Sequence, residues 1–381
     1  MLDQLLTRSP DVDIYLLGTD YDTVLGSILA RGWAAELDSE VLSDYVRSLY
    51  PAIAGRFTQN GKPVAIPLEA HAYGLGLNVG AMAALGLRIE DVPASWPDFC
   101  AWLNDAAAQA RGKYPVFMDE ADYVRMELMA VLCRDCAREI DLGAQPSFDA
   151  PAVRVAMEAV DAIDLEAICE SDEALWESEA VNPLFFAYAN VGVNGHRFTD
   201  RYDNYPLRLS LDSQSPVRLP VGAVCAVVNP FSSHPETAVR FLESVIPCME
   251  PQSRAMLNPH ANEPLRDDKL YREQAAEQDA LIESLRAQLA KRDSPSQAME
   301  EALAEAVRTR EEMEEKWYWI VSRESLDWYR AHDIGLIADF AGVFSDISPY
   351  ELLAQYAAGQ LDLDGLIRAL DDRTRLRRME G

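Results

Sequence analysis

The chain of 381 residues carries 63 acidic against 34 basic side chains, a formal net charge of −29, and is 49% hydrophobic and 25% charged. That length exceeds what a single core fills and predicts two lobes of ordinary globular composition. The acidic balance, without a basic stripe, excludes nucleic acid as a partner and disfavours anionic membrane surfaces, and no window reaches the roughly eighteen unbroken apolar residues of a transmembrane helix.

Residues 1–10 hold no basic n-region, apolar h-region or small-residue cleavage site, so no secretory signal is predicted there, and no cysteine near the start offers lipid attachment. Residues 12–17 read as a strand, 21–31 and 43–57 as helices, and 64–66 as a short buried strand stopped by Pro67. This alternation predicts a first α/β lobe over 1–72. Residues 73–79 cross to a second lobe, so 73–228 form the crossings and that lobe. It holds a helix at 96–111, a strand at 116–118, helices at 123–140 and 150–163, and a strand at 187–193. Ser95 caps the helix at 96–111, and Asp98 sets a carboxylate in its first turn. Residues 222–228 cross back, 229–335 return to the first lobe with a helix at 235–245, and 336–381 give C-terminal helices packing on the second lobe. Two or three such crossings are the signature of a hinge.

Residues 268–319 differ in kind. Leu281, Ile282, Leu285 and Leu289 recur at helical spacing, the run Arg292-Asp293-Ser294-Pro295-Ser296 interrupts it, and Met299, Leu303, Ala306, Arg310 and Met313 resume it. An inserted αα-hairpin with a charged, solvated exterior is predicted, either a plain strut or an arm that docks a protein partner. Trp317 and Trp319 at its root read as a bridge to the lobe or as cleft lining.

Little points to catalysis. Carboxylate pairs such as Glu69 with Glu120 are unavoidable among 63 acidic residues, and neither a nucleophile elbow nor a phosphate-cradling loop is present. The spacing Cys133-Arg134-Asp135-Cys136 falls inside a helix rather than at a helix start, and the six cysteines read as free, mostly buried thiols. The five histidines show no metal-ligand spacing. No enzyme activity, metal or cofactor is predicted.

Candidate ligand-binding residues sit at strand ends and crossings. Asp20 and Tyr21 follow the strand at 12–17 at a helix start, where simple N-capping is an equal reading. Glu69, His71 and Tyr73 alternate, so an extended backbone points all three one way. Asp119 and Glu120 follow 116–118 and either face them or merely open the next helix. Trp176 is a stacking platform or a core residue. Asn194 and Arg218 flank strands, with Arg218 equally able to pair with a carboxylate.

The stretch Gly61-Lys62-Pro63-Val64-Ala65-Ile66-Pro67, then Tyr73-Gly74-Leu75-Gly76-Leu77-Asn78 and Ser95-Trp96-Pro97-Asp98-Phe99, resembles the family 1 extracellular solute-binding proteins of ABC importers, the sugar-binding group. Pro10-Asp11-Val12-Asp13-Ile14 with Gly32-Trp33-Ala34-Ala35-Glu36-Leu37 adds to the likeness, Trp33 and Glu36 being departures. So do Gly222 to Asn229 with His234-Pro235-Glu236-Thr237-Ala238, and Tyr356-Ala357-Ala358-Gly359-Gln360. The resemblance implies an α/β, two-lobed periplasmic-binding-protein-like (type II) fold, here with the helical hairpin inserted and the first strands of lobe one missing. It implies capture of a carbohydrate between the lobes, with ligand contacts just after Pro67, delivery to ABC permease subunits, and an extracellular place at a membrane through an anchor outside this chain. The lack of a signal leaves a cytoplasmic place open. The competing expectation is a truncated or repurposed fold acting as a protein-interaction module through its hairpin.

Overall fold

The computed structural model describes residues 2–19, 24–111, 113–169, 183–194, 204–291, 297–316, 318–336 and 349–380. Helix α1 spans Leu2–Leu6, strand β1 Ile14–Gly18, α2 Val24–Ala30, α3 Glu40–Arg47 and α4 Pro51–Ala54. Short strands β2 Thr58–Gln59 and β3 Lys62–Pro63 precede β4 Ile66–His71 and β5 Tyr73–Asn78. Then come α5 Val79–Ala84, α6 Trp96–Ala110, α7 Ala121–Asp141, α8 Pro151–Asp161, β6 Phe185–Asn190, β7 Asn204–Leu207 and β8 Arg218–Val228. They are followed by α9 Pro235–Val245, α10 Pro251–Leu257, β9 Leu265–Arg266, α11 Asp268–Ala290, α12 Gln297–Lys316 and β10 Trp319–Val321. The last elements are α13 Arg323–Arg330, β11 Asp333–Leu336, α14 Pro349–Ala357 and α15 Leu363–Glu380.

β8 organises the first sheet. It pairs antiparallel with β1 (Leu17 opposite Cys225) and β4 (His71 opposite Gly222), and parallel with β11 (Ile334 opposite Leu219). Because it is covered on both faces, Leu219 to Val228 reads as an almost unbroken apolar run rather than an alternating one. β5 organises a second sheet between β6 (Tyr73 opposite Asn190) and β7 (Leu77 opposite Tyr205).

Two separate hydrophobic cores result. One gathers Leu17, Ile53, Ile66, Val227, Leu257 and Tyr329 around the β8 sheet, and the other gathers Leu77, Trp96, Phe99, Leu128, Phe185 and Leu353 around the β5 sheet. Membership passes from one core to the other along 72–75, 187–191, 193–209, 211–219 and 336–352, more often than the sequence suggested. α14 and α15 contribute Leu352, Leu353, Leu366 and Leu370 to the second core.

Local chemistry explains most elements. Ser95 Oγ accepts from the Asp98 amide at 3.4 Å and donates to Asp98 Oδ2 at 2.6 Å, with Pro97 in the first turn of α6. Ser39, Asn78 and Ser322 cap α3, α5 and α13 by accepting from the amides of Leu42, Ala81 and Ser325. Asn60 and Gly61 take φ of 51° and 78° between paired Gln59 and Lys62, the two left-handed residues a tight type I′ hairpin requires.

Several expectations are corrected. The strand does not stop at Pro67 but runs through it. The register shifts between Pro67 and Glu69, so the missing amide falls at a bulge where the ladder is already broken. Residues 116–118 are buried but form only an isolated bridge, Phe117 with Cys169. The single helix at 43–57 divides where Pro51 opens a new one. In the arm, α11 and α12 lie side by side, with Gln278 Nε2 donating to the Ala306 carbonyl at 2.9 Å and Arg310 Nε lying 2.9 Å from Asp279. Trp319 belongs to the arm's root, where Arg266 lies 5.8 Å from its ring and 4.3 Å from that of Tyr271. Trp317 lies outside the described residues.

Candidate functional site

The crossing from β4 to β5 assembles an aromatic and polar cluster between the two cores. Glu69 is exposed on β4. Two residues on, the His71 ring lies so close over Gly222 that a Cβ there would stand 2.1 Å from His71 Nε2. Only glycine permits that approach. The rings of His71 and Tyr73 are 5.3 Å apart, and Tyr73 stacks on Tyr188 of β6 at 4.5 Å and 23°. The Arg134 guanidinium lies 5.4 Å from the Tyr73 ring and 5.6 Å from that of Tyr350, whose hydroxyl it also bonds. On β6, Phe186, Tyr188 and Asn190 alternate with buried Phe185, Ala187 and Ala189, so the partly exposed residues share one sheet face.

Beneath this cluster α7 presents a buried charged face: Glu127, Arg134, Asp135, Arg138 and Glu139. Asp135 accepts from Trp96 Nε1 at 3.0 Å and pairs with Arg208. Burial pushes the Asp135 carboxyl upward against the pull of Arg208 and the Trp96 N–H. Burial lowers Arg138. Glu127 is raised by burial against the pull of Arg134, with Asp119 adding to the rise, and its Oε2 is buried without a hydrogen-bond partner.

The structure brings His71 and Tyr73 together, with Glu69 on the same strand face. It separates Glu120 from them. Glu120 is the exposed residue before α7, and Arg134, which touches Tyr73, lies about 21 Å farther along that helix at about 1.5 Å per residue. At Asn194 the backbone amide donates to Ser325 Oγ at 2.8 Å and the backbone carbonyl accepts from the Ser322 amide at 3.1 Å, while the side chain donates from Nδ2 to the Gly192 carbonyl at 3.4 Å and its Oδ1 is buried without a hydrogen-bond partner. The Arg218 guanidinium pairs with Glu139 and Asp333, the carboxylate-paired alternative. Asp20, Tyr21 and Trp176 lie outside the described residues.

Sequence reasoning missed Tyr188, Arg134 and Tyr350. The alternation of Phe186, Tyr188 and Asn190 could have flagged the first, whereas nothing local marks Arg134 among the charges of α7. Cys133 and Cys136 are buried in the same helix, Cys133 pushed up to about 12 and Cys136 also raised, in both cases by burial first, which removes the thiolate a redox pair needs. Among the described residues no cluster of metal-ligating side chains occurs, and no helix is long and apolar enough to cross a membrane.

Known structures share this architecture. The chain aligns over 98% of its length with a maltose-bound MalE3 of T. maritima (13% identity, 87% of that chain, TM-score 0.53). It aligns over the same share with the cyclic α-maltosyl-1,6-maltose binding protein of Arthrobacter globiformis (13%, 86%, TM-score 0.54). A protein of xylan utilization from the thermophilic bacterium Caldanaerobius polysaccharolyticus gives 14%, 87% and a TM-score of 0.57, again over 98% of this chain. No family model and no curated protein matches. At this identity the likeness concerns the fold, which is the mixed α/β fold of periplasmic sugar-binding proteins.

Proposed function

We propose that the chain is the solute-binding component of an ABC importer, which captures a carbohydrate between its two lobes and delivers it to permease subunits outside the cytoplasmic membrane. The observation that carries the reading is the Tyr73–Tyr188 stack with His71 beside it, at the crossing between two cores. Pyranose C–H groups pack on flat aromatic faces, while hydroxyls need carboxylates, amides and imidazole, and both kinds of group meet there. A ligand touching both lobes has contacts available only when they close, so it shifts the population toward the closed state. The three neighbours, two of them described as maltose- or maltosyl-maltose-binding, support the carbohydrate class. Binding, rather than chemical conversion, is the role proposed.

Calorimetric titration of a panel of malto- and xylo-oligosaccharides tests this. Saturable binding by the parent protein, weakened by Tyr188→Ala while the variant stays folded, is the expected result. A panel without any heat of binding refutes it. The α11–α12 arm, with Leu270 and Leu281 exposed, favours a second role in docking a protein partner. Deleting it leaves sugar binding intact on either reading.

A further inference from the structure

We propose that Arg208 is a positioning residue for ligand capture, a clasp that ties two crossings between the lobes to helix α7 and so fixes how the lobes meet. Its Nη1 donates to the Tyr73 carbonyl at 2.8 Å, at the start of β5. Its Nη2 pairs with Asp135 of α7 and donates to the Arg218 carbonyl at 3.2 Å, at the start of β8. One buried guanidinium therefore holds the strand that enters the second core, the strand that leaves it, and the helix behind both. Only a planar fork with several fixed donors reaches acceptors on three chain segments at once.

The surrounding residues are shaped around this contact. A Cβ at Gly74 would stand 2.9 Å from the Leu207 carbonyl oxygen and 3.0 Å from Arg208 Cδ, so glycine at 74 makes room for the arginine stem across the crossing. The next turn of α7 repeats the arrangement. Glu139 pairs with Arg218, which also holds Asp333, and the Arg138 guanidinium fills the space where a Cβ of Gly335 would lie. Strands β5, β8 and β11 are thus each anchored to one face of one helix. Asp135 is in turn held by the Trp96 N–H, which roots the clasp in the second core.

The consequence is mechanical. With the crossings pinned to α7, relative motion of the lobes is confined to bending beyond the pins, and Tyr73 keeps its place against Tyr188. Loosening the clasp lets the lobes sample orientations in which the two halves of the binding wall do not meet. If the competent fraction falls to about one tenth, apparent affinity weakens about tenfold.

The inference rests on the reading of the chain as a two-lobed capture protein, but its decisive measurement needs no ligand. Spin labels are placed on exposed Cys248 in the first lobe and on Val155→Cys in the second, with Cys169→Ser to avoid a third label. Electron–electron distance distributions are then compared with and without Arg208→Lys, which keeps the charge opposite Asp135 but loses the fork. The expected result is a broadened inter-lobe distribution in a protein whose circular dichroism is unchanged. Asp44→Asn, which removes an exposed carboxylate of α3 and leaves Arg208 and the charges of α7 alone, is expected to keep the parent distribution. An Arg208→Lys distribution superimposable on the parent's overturns the proposal. If the lysine variant fails to fold, Asp135→Asn, which keeps the side-chain volume and an oxygen for the Trp96 N–H but removes the charge that holds Arg208, carries the same test. If no sugar binds the parent protein, the capture reading fails while the distance result still decides the clasp.

Discussion

Replacing Asp135 by Asn removes a negative charge from beside Arg208 without changing side-chain volume. The Trp96 N–H keeps an oxygen to donate to, so the loss is concentrated on one guanidinium whose side chain is 1% exposed. Leaving a buried charge without its partner costs about 3–5 kcal/mol, far more than the near-zero net worth of many such pairs against an apolar substitute. The two carbonyls that Arg208 also reaches offset part of that cost, so the lower end, about 3 kcal/mol, is expected. Urea unfolding followed by fluorescence reads it, since Trp96 and Trp102 both report on the second core. With two cores, two transitions are allowed for, and the shift belongs to the one those tryptophans report. Pairing Asp135→Asn with Arg208→Met is expected to recover most of the loss, because the orphaned charge is gone. A single variant that costs less than about 1 kcal/mol, the range of an exposed pair, refutes the reasoning. So does a double variant no more stable than the single one.

Further outcomes follow from other sites. Glu127 is raised in the folded protein, chiefly by burial, so the native state binds its proton more tightly than the unfolded chain, and its contribution to stability falls as pH rises through the unfolded and then the folded value. Glu127→Gln is therefore expected to be more stable than the parent at pH 7, by about 1 kcal/mol given an unpaired buried oxygen. The gap should close below about pH 4, and a gap independent of pH in thermal melts counts against the assignment. Ser95→Ala removes the α6 cap and should cost about 1 kcal/mol in the same urea assay, with no cost meaning that packing alone sets that helix start. In the folded protein a thiol reagent at pH 8 should modify Cys248 quickly and half-buried Cys169 slowly. Cys100, Cys133, Cys136 and Cys225 should react only on unfolding, and rapid reaction of Cys133 would show that α7 is not buried as described.

Much of the scaffold was legible without coordinates. The Ser95 cap and the interrupted helical pattern of the arm each depend on neighbours within a few residues, and each took the expected form. Pro67 was misjudged because a bulge accommodates a missing amide, and bulges are set by the partner strand. The candidate site was legible only in part. His71 and Tyr73 are adjacent on one strand path, but Tyr188, Arg134 and Tyr350 reach them from far along the chain.

Residue order alone determined where the capped helix at Trp96 and the helix at Pro235 begin, and that two cores are needed for a chain of this length. Only the tertiary structure decided what the charges of α7 are for. Read along the helix, Asp135, Arg138 and Glu139 look like an ordinary solvated face, since their spacing carries no sign of burial. The partners of Asp135 and Glu139 are Arg208, just after β7, and Arg218, at the start of β8, both distant in sequence, and a charge becomes tolerable inside a protein only once such a partner has been folded against it.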